Sequence, residues 1–271
     1  VGSTPEDFIA PYTTDAWEAD LFAWQAMAMA STAQEDVVRT AVAALLRPWL
    51  DQTATHFQKA VASSGLRTPA EQGAIAAEPG EVLFFADGLR YDVARQLQQR
   101  LEEMGITGAL STRWAGLPTV TATAKPAITP LIAEIEGEAL PEDFAPAFRS
   151  GKPTSAAELR KALTAQGYTV LADNELNIPS GPEARGWLES GDLDHRGHQL
   201  QNDLPRVIAD EIERLAHRIQ KLLDAGWRSV KVVTDHGWVV CPDGLPTAEL
   251  PKHLSASNWA RCAAVKGDSQ V

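Results

Sequence analysis

The chain has 271 residues and a net charge of -12, with 44% apolar and 22% charged residues. That profile suits an ordinary soluble globular protein with room for one large α/β domain, or a core domain plus a helical attachment. Without a basic stripe, nonspecific grip on nucleic acid is disfavoured, although bound divalent cations could still supply positive charge to a phosphate substrate. The two cysteines, Cys241 and Cys262, exclude a disulfide framework and a four-cysteine zinc site, and read as idle thiols of a cytoplasmic protein.

Residues 1–78 read as a helical region. Trp17, Leu21, Trp24 and Ala28 recur at helical spacing, and so do Val37, Val38, Val42, Leu45, Leu46 and Trp49. The tryptophans are expected to serve packing. Gly65 to Gly80 is a linker or long loop punctuated by glycine and proline, and residues 79–271 form the second unit. There Glu81 to Ala86 predicts a buried strand, running into Asp87-Gly88-Leu89-Arg90-Tyr91-Asp92. Val93, Leu97, Leu101 and Met104 then mark a helix closed by Gly105.

A further strand is expected around Ile106 to Thr112, and a helix beginning near Thr123 with Pro126 in its first turn. Residues 134–143 read as an acidic loop. Ser155 with Glu158 predicts a capping box for a helix running to Gly167, followed by a strand from Tyr168 to Ala172. Asp173 to Asp192 reads as irregular. The spacing from Val207 to Leu223 predicts an amphipathic helix ending at Gly226, and Val230 to Val233 a buried strand. Strands alternating with helices predict a mostly parallel, doubly wound α/β sheet. Sites in such sheets gather at the carboxyl ends of strands.

Polar chemistry collects near those predicted ends: Asp87, Thr119 to Thr123, Asp194 to His198, Asp235-His236, and further on His253. Asp194 and His198 have i, i+4 spacing, which puts both on one face of a helix. Mixed aspartate and histidine ligands suit zinc, and also manganese or iron. Two such clusters would hold two cations, and a hydroxyl between them would become a nucleophile. A receiver-type reading, with Asp87 as phospho-acceptor, leaves Asp194, His198 and Asp235-His236 unexplained.

The order and wording of these segments resemble the alkaline phosphatase superfamily and its phosphodiesterase branch. Pro118-Thr119-Val120-Thr121 resembles the nucleophile segment, Asp194-x-x-Gly197-His198 a metal motif, and Asp235-His236-Gly237 the second metal's motif. Within that superfamily, FFADGLRYDVARQL, LPTVTATAKPA and TDHGWVVCPDGLPTAELPKHL followed by NWARCA are similar to the PglZ family of BREX phage-defence systems. The similarity covers roughly residues 80–266.

The resemblance implies an alkaline-phosphatase-like sheet and a metal-dependent phosphatase or phosphodiesterase. Thr121 would be the nucleophile, with Thr119 the competing hydroxyl. Asp87, Asp235 and His236 would bind one divalent metal, and Asp194, His198 and His253 the other. The ions would be zinc, with manganese or magnesium as alternatives. The substrate would be a phosphoester, with nucleotide or nucleic acid open, and the partners other BREX proteins including a methyltransferase.

Two departures from the superfamily pattern stand out. His253 follows Asp235 after only a short loop, whereas in many superfamily members the last histidine comes much later. The asparagine-like phosphate contact after the nucleophile is absent. Lys125 or Arg90 could replace it, although each reads first as a helix-surface charge. A second functional class is a metal-stabilised scaffold whose Trp-rich helical part docks partners. No membrane association is expected: the apolar runs are too short to span a bilayer, and the start VGSTPEDFIAPY lacks a signal peptide's basic region. Val1 in place of methionine, and an end soon after Cys262, point to a processed chain or a piece of a longer one.

Overall fold

The structure is a computed structural model describing residues 4–140, 144–239, 241, 242, 244, 253, 255–256 and 262–265. Much of the family-like wording between residues 245 and 261 lies outside the described residues. The N-terminal part is helical. Ile9–Pro11 (α1) continues through a π-helical segment, Tyr12–Ala16, into Trp17–Met29 (α2). Glu35–Ser64 (α3) follows and runs well past Trp49, straight through Pro48. That proline removes one interior hydrogen bond, but burial on both sides of it, of Val42 and Ala43 before and Ala60 after, holds the helix together.

Four strands form one all-parallel sheet: Glu81–Phe85 (β1), Tyr168–Leu171 (β4), Arg185–Glu189 (β5) and Ser229–Val233 (β6). Their spatial order is β4-β5-β1-β6. Strand β1 sits between β5 and β6 and is buried along its whole length. Its side chains alternate between the two faces, as a pleated strand requires. Val82, Phe84 and Ala86 join one core, and Leu83 and Phe85 join the other.

The first core is covered by Tyr91–Glu103 (α4) and Ile208–Asp224 (α8), and it also takes in Trp24, Met27 and Val42 of the N-terminal helices. The second is covered by Ala156–Ala165 (α6), through Leu159 and Leu163, and by Ile128 and Leu131 after Thr121–Ala127 (α5). Each large apolar side chain buried this way contributes about 1.5–3 kcal/mol relative to exposure.

Four sequence expectations are corrected. No strand forms between residues 106 and 112. Ile106 N–H bonds back to Leu101 O, and Gly105 N–H to Glu102 O, which closes α4 in a Schellman turn; residues 107–113 are then exposed. The missing strand is β5, inside the stretch expected to be irregular. Instead of an acidic loop, residues 135–140 form β2 (Ile135–Leu140), paired antiparallel with β3 (Ala145–Phe148). Helix α5 starts at Thr121 rather than Thr123, so Pro126 lies in its second turn. The Ser155 cap is present, with its hydroxyl accepting from Glu158 N–H at 3.3 Å.

Candidate metal centre and nucleophile

The site lies beyond the carboxyl ends of β1, β5 and β6. Asp87 follows β1 by two residues and Asp235 follows β6 by two. Asp194 opens Leu193–Leu200 (α7), which follows β5. Gly88 lets these segments meet. Its φ is +68, and a Cβ there would lie 3.1 Å from Asp194 Cβ and 3.3 Å from Asp194 N. Only glycine meets both demands without strain. Leu89 N–H then donates to Thr234 Oγ1 at 3.0 Å, and Trp238 Nε1–H to Gly88 O at 2.9 Å. These bonds join the loop after β1 to the loop after β6.

His236 is buried at the centre. Its Nδ1–H donates to Gly237 O at 3.0 Å. This bond assigns the tautomer and leaves the Nε2 lone pair free. Thr121 Oγ1 lies 3.1 Å from that nitrogen, Asp87 Oδ1 3.6 Å and Asp235 Oδ2 3.7 Å. Asp87, Asp194 and His236 offer ligand atoms all within 4.8 Å of one another.

Two buried oxygens in this cluster, Asp87 Oδ1 and Asp235 Oδ2, have no hydrogen-bond partner among the described residues. A buried carboxylate oxygen without a partner is costly. Burial first, then the Asp235 and Asp194 carboxylates, pushes Asp87 up to about 7. Burial likewise raises Asp235, although His236 and backbone N–H groups oppose the rise. Two carboxylates and the His236 Nε2 atom within 4.8 Å of one another, with Asp235 Oδ2 3.7 Å from that nitrogen, fit a divalent cation, whose charge and oxygen and nitrogen preferences would answer the unpartnered oxygens.

The residues expected from sequence fall out as follows. Asp87, Asp194, Asp235, His236 and Thr121 come together. His198 reaches the cluster only through Asp194, with its Nε2 3.4 Å from Asp194 Oδ2 and its side chain 79% exposed. His253 lies in a turn with an exposed side chain and is not part of the ligand group found among the described residues. Thr119 is exposed, and Thr123 donates to Phe144 O at 2.6 Å. Of the three threonines, Thr121 is the one placed at His236.

Neither Lys125 nor Arg90 is a helix-surface charge. Lys125 is buried, with its Nζ 2.9 Å from Glu189 Oε2 and over the Phe85 ring. That pair ties α5, and with it Thr121, to the end of β5. Arg90 is buried between two tryptophans, a role the sequence reading missed. Its one sequence signal was an arginine two residues before Asp92, in a segment otherwise bound for the core.

Comparison of the chain with protein-family models, with curated proteins and with solved structures finds no match. Among the described residues, no helix is long and apolar enough to cross a membrane.

Proposed function

We propose that this chain is a metal-dependent phosphoester hydrolase of alkaline-phosphatase-like type, related to the PglZ proteins of BREX defence, with Thr121 as nucleophile. The observation that carries the reading is the placement of Thr121 Oγ1 at 3.1 Å from His236 Nε2, inside a cluster with two unpartnered buried carboxylate oxygens. Asp87, Asp235, His236 and Asp194 would hold divalent cations, with His198 contributing beside Asp194. Bound there, zinc or a similar ion would offset the carboxylate charge, favour the ionised Thr121 oxygen and polarise the phosphoryl group.

The chain's own residues supply the rest. Helix α5 presents Thr121 at its first position, and the Lys125–Glu189 ion pair holds that helix in place. Thr121 Oγ attacks phosphorus, the bond to the leaving oxygen breaks, and a phosphothreonine forms. Water then cleaves that ester and regenerates the hydroxyl. The substrate class is a phosphate mono- or diester, nucleotide or nucleic acid included, and the proposed partners are other BREX components such as a methyltransferase. Thr121→Val should abolish hydrolysis of a nitrophenyl phosphate ester and leave metal content unchanged; undiminished turnover would sink the assignment.

A second reading, a metal-stabilised scaffold, draws on the exposed Phe22, Met29, Val37 and Leu45 of α2 and α3. It does not draw on Trp24, which is buried, or on Trp17, which packs against Tyr91. A protein that binds metal but fails to hydrolyse either a monoester or a diester would favour it.

A further inference from the structure

Arg90 is the buried hub of a network outside the ligand cluster. Its guanidinium lies 4.7 Å from the Trp24 ring centroid and 4.4 Å from that of Trp238. Nε and Nη2 donate to the two oxygens of Asp92 at 2.6 and 2.8 Å, and Nη1 donates to Trp238 O at 3.3 Å. Nη1 also lies 3.6 Å from Asp20 Oδ1, and Asp20 accepts from the Tyr12 hydroxyl at 2.7 Å. The Trp24 and Trp238 rings meet edge to face at 4.5 Å.

One side chain on the loop after β1 therefore grips both the N-terminal helix and the loop after β6. Arg90 is three residues from Asp87, and Trp238 is two from His236. Gly237 makes the approach possible, because a Cβ there would come within 3.0 Å of Arg90 Cγ. The glycine of Asp235-His236-Gly237 thus serves Arg90 as well as the turn.

Stability alone is a poor account of this arrangement. Replacing a buried ion network with well-packed apolar groups is often neutral or stabilising, so such a network is weak support for a purely stabilising role. What it does provide is a fixed orientation of helix α2 against two loops that the Leu89–Thr234 and Trp238–Gly88 bonds already join to each other. Groups hydrogen-bonded directly to metal ligands are worth about 10–100-fold in metal affinity, which sets the upper scale for a residue such as Arg90 that orients the loops bearing them.

We propose that Arg90 is a positioning residue for the metal-binding loops, and that helix α2, through Asp20 and Trp24, sets the geometry of Asp87 and His236. The proposal rests on the metal-centre reading given above. It makes the N-terminal helices a working part of the site rather than an appendage.

The test uses Arg90→Lys and Asp20→Asn in the full chain. Lysine keeps the charge and loses the planar fork and the stacking. Asparagine at 20 leaves every proposed ligand and Arg90 itself in place, and it serves if Arg90→Lys does not fold. Two quantities are measured on variants whose far-ultraviolet dichroism matches wild type. The first is hydrogen exchange of the His236 to Trp238 amides in metal-free protein. The second is affinity for zinc and manganese by titration calorimetry.

Faster exchange in that segment together with an affinity loss of about tenfold or more supports the proposal. Unchanged zinc and manganese affinity in folded variants, where wild type binds either ion, overturns it, whatever happens to melting temperature. Absence of metal binding in wild type would remove the metal reading itself. Exchange then decides alone, and unaltered protection of His236 to Trp238 in both variants overturns the coupling.

Discussion

At the scale of single residues, the site holds a buried carboxylate at a cost in stability. Asp235 Oδ1 is well served, accepting from His236 N–H at 2.9 Å and, at a longer 3.5 Å, from Gly88 N–H. Its Oδ2 is buried without a partner among the described residues and lies 3.7 Å from His236 Nε2. A carboxylate oxygen buried without a partner destabilises the metal-free fold. Asp235→Asn would remove a buried charge that also raises neighbouring Asp87. Metal-free Asp235→Asn protein is expected to melt higher than wild type, by about 2–4 °C per kcal/mol recovered, and to lose most of its response to zinc. Scanning calorimetry with and without the ion checks both. A lower melting point in metal-free variant would show that the carboxylate is not strained by its surroundings.

At the scale of elements, strand β5 decides where Thr121 stands. Its last residue, Glu189, accepts from Lys125 of α5, from Arg160 of α6 and from the Trp187 indole. Burial alone would raise the Glu189 carboxyl, but the hydrogen bonds and charges of Arg160 and Lys125 outweigh it and draw the group from 4.5 down to about 2. A carboxyl lowered by folding contributes stability that is complete above its unfolded pKa and lost as pH falls through its folded pKa. The contribution should therefore fade between about pH 4.5 and pH 2. Glu189→Gln is expected to lower stability near neutral pH by about 1–2 kcal/mol, allowing for solvent screening, and to flatten the decline over that acid range. Urea unfolding at a series of pH values measures this; a parallel pH dependence in wild type and variant would show that Glu189 is not the titrating group. Strand β5 is also the element the sequence hid. Its core is Gly186-Trp187-Leu188, too short and too mixed for a period-two signal. The glycine is there because a Cβ would lie 3.0 Å from Val82 Cγ2 and 3.1 Å from Trp227, a constraint that exists only across neighbouring elements.

At the scale of the whole molecule, the net charge of -12 and the carboxylate cluster point the same way. On the proposed metal-centre reading, cations complete the site. Zinc or manganese at about one hundred times its dissociation constant should stabilise the fold by about 2.7 kcal/mol, raising the melting temperature by about 5–10 °C at this size. A chelator should reverse the shift. Absence of any shift with zinc, manganese or magnesium would mean that the cluster is not a metal centre. The N-terminal helices belong to the same picture. Trp24, Met27 and Val42 share one apolar core with β1 and α8, while Arg47 of α3 donates to Gly244 O at 3.2 Å, beyond the His236 loop. The helical part thus supports the loops that carry the candidate ligands.

Local sequence was enough for much of this. The runs of β1, β4 and β6, the amphipathic faces of α4 and α8, and the acids just past the strand ends were all legible, because periodicity and strand-end chemistry are written within a few consecutive residues. Asp235-His236 could be named as a candidate for the same reason, whereas Thr121 stood out from Thr119 to Thr123 only through the family resemblance. Other features depend on neighbours far apart in the chain. The sheet order, the burial of Lys125 and Arg90, the position of Thr121 rather than Thr119 at His236, and the approach of Asp194 over Gly88 are of this kind. A charge reads as solvated until a partner from another element covers it, and a threonine becomes a nucleophile candidate only where a third segment brings an imidazole to 3.1 Å. The ingredients of the Asp235-His236-Gly237 site are thus local, while its geometry is set by contacts among β1, β5, β6 and the N-terminal helix.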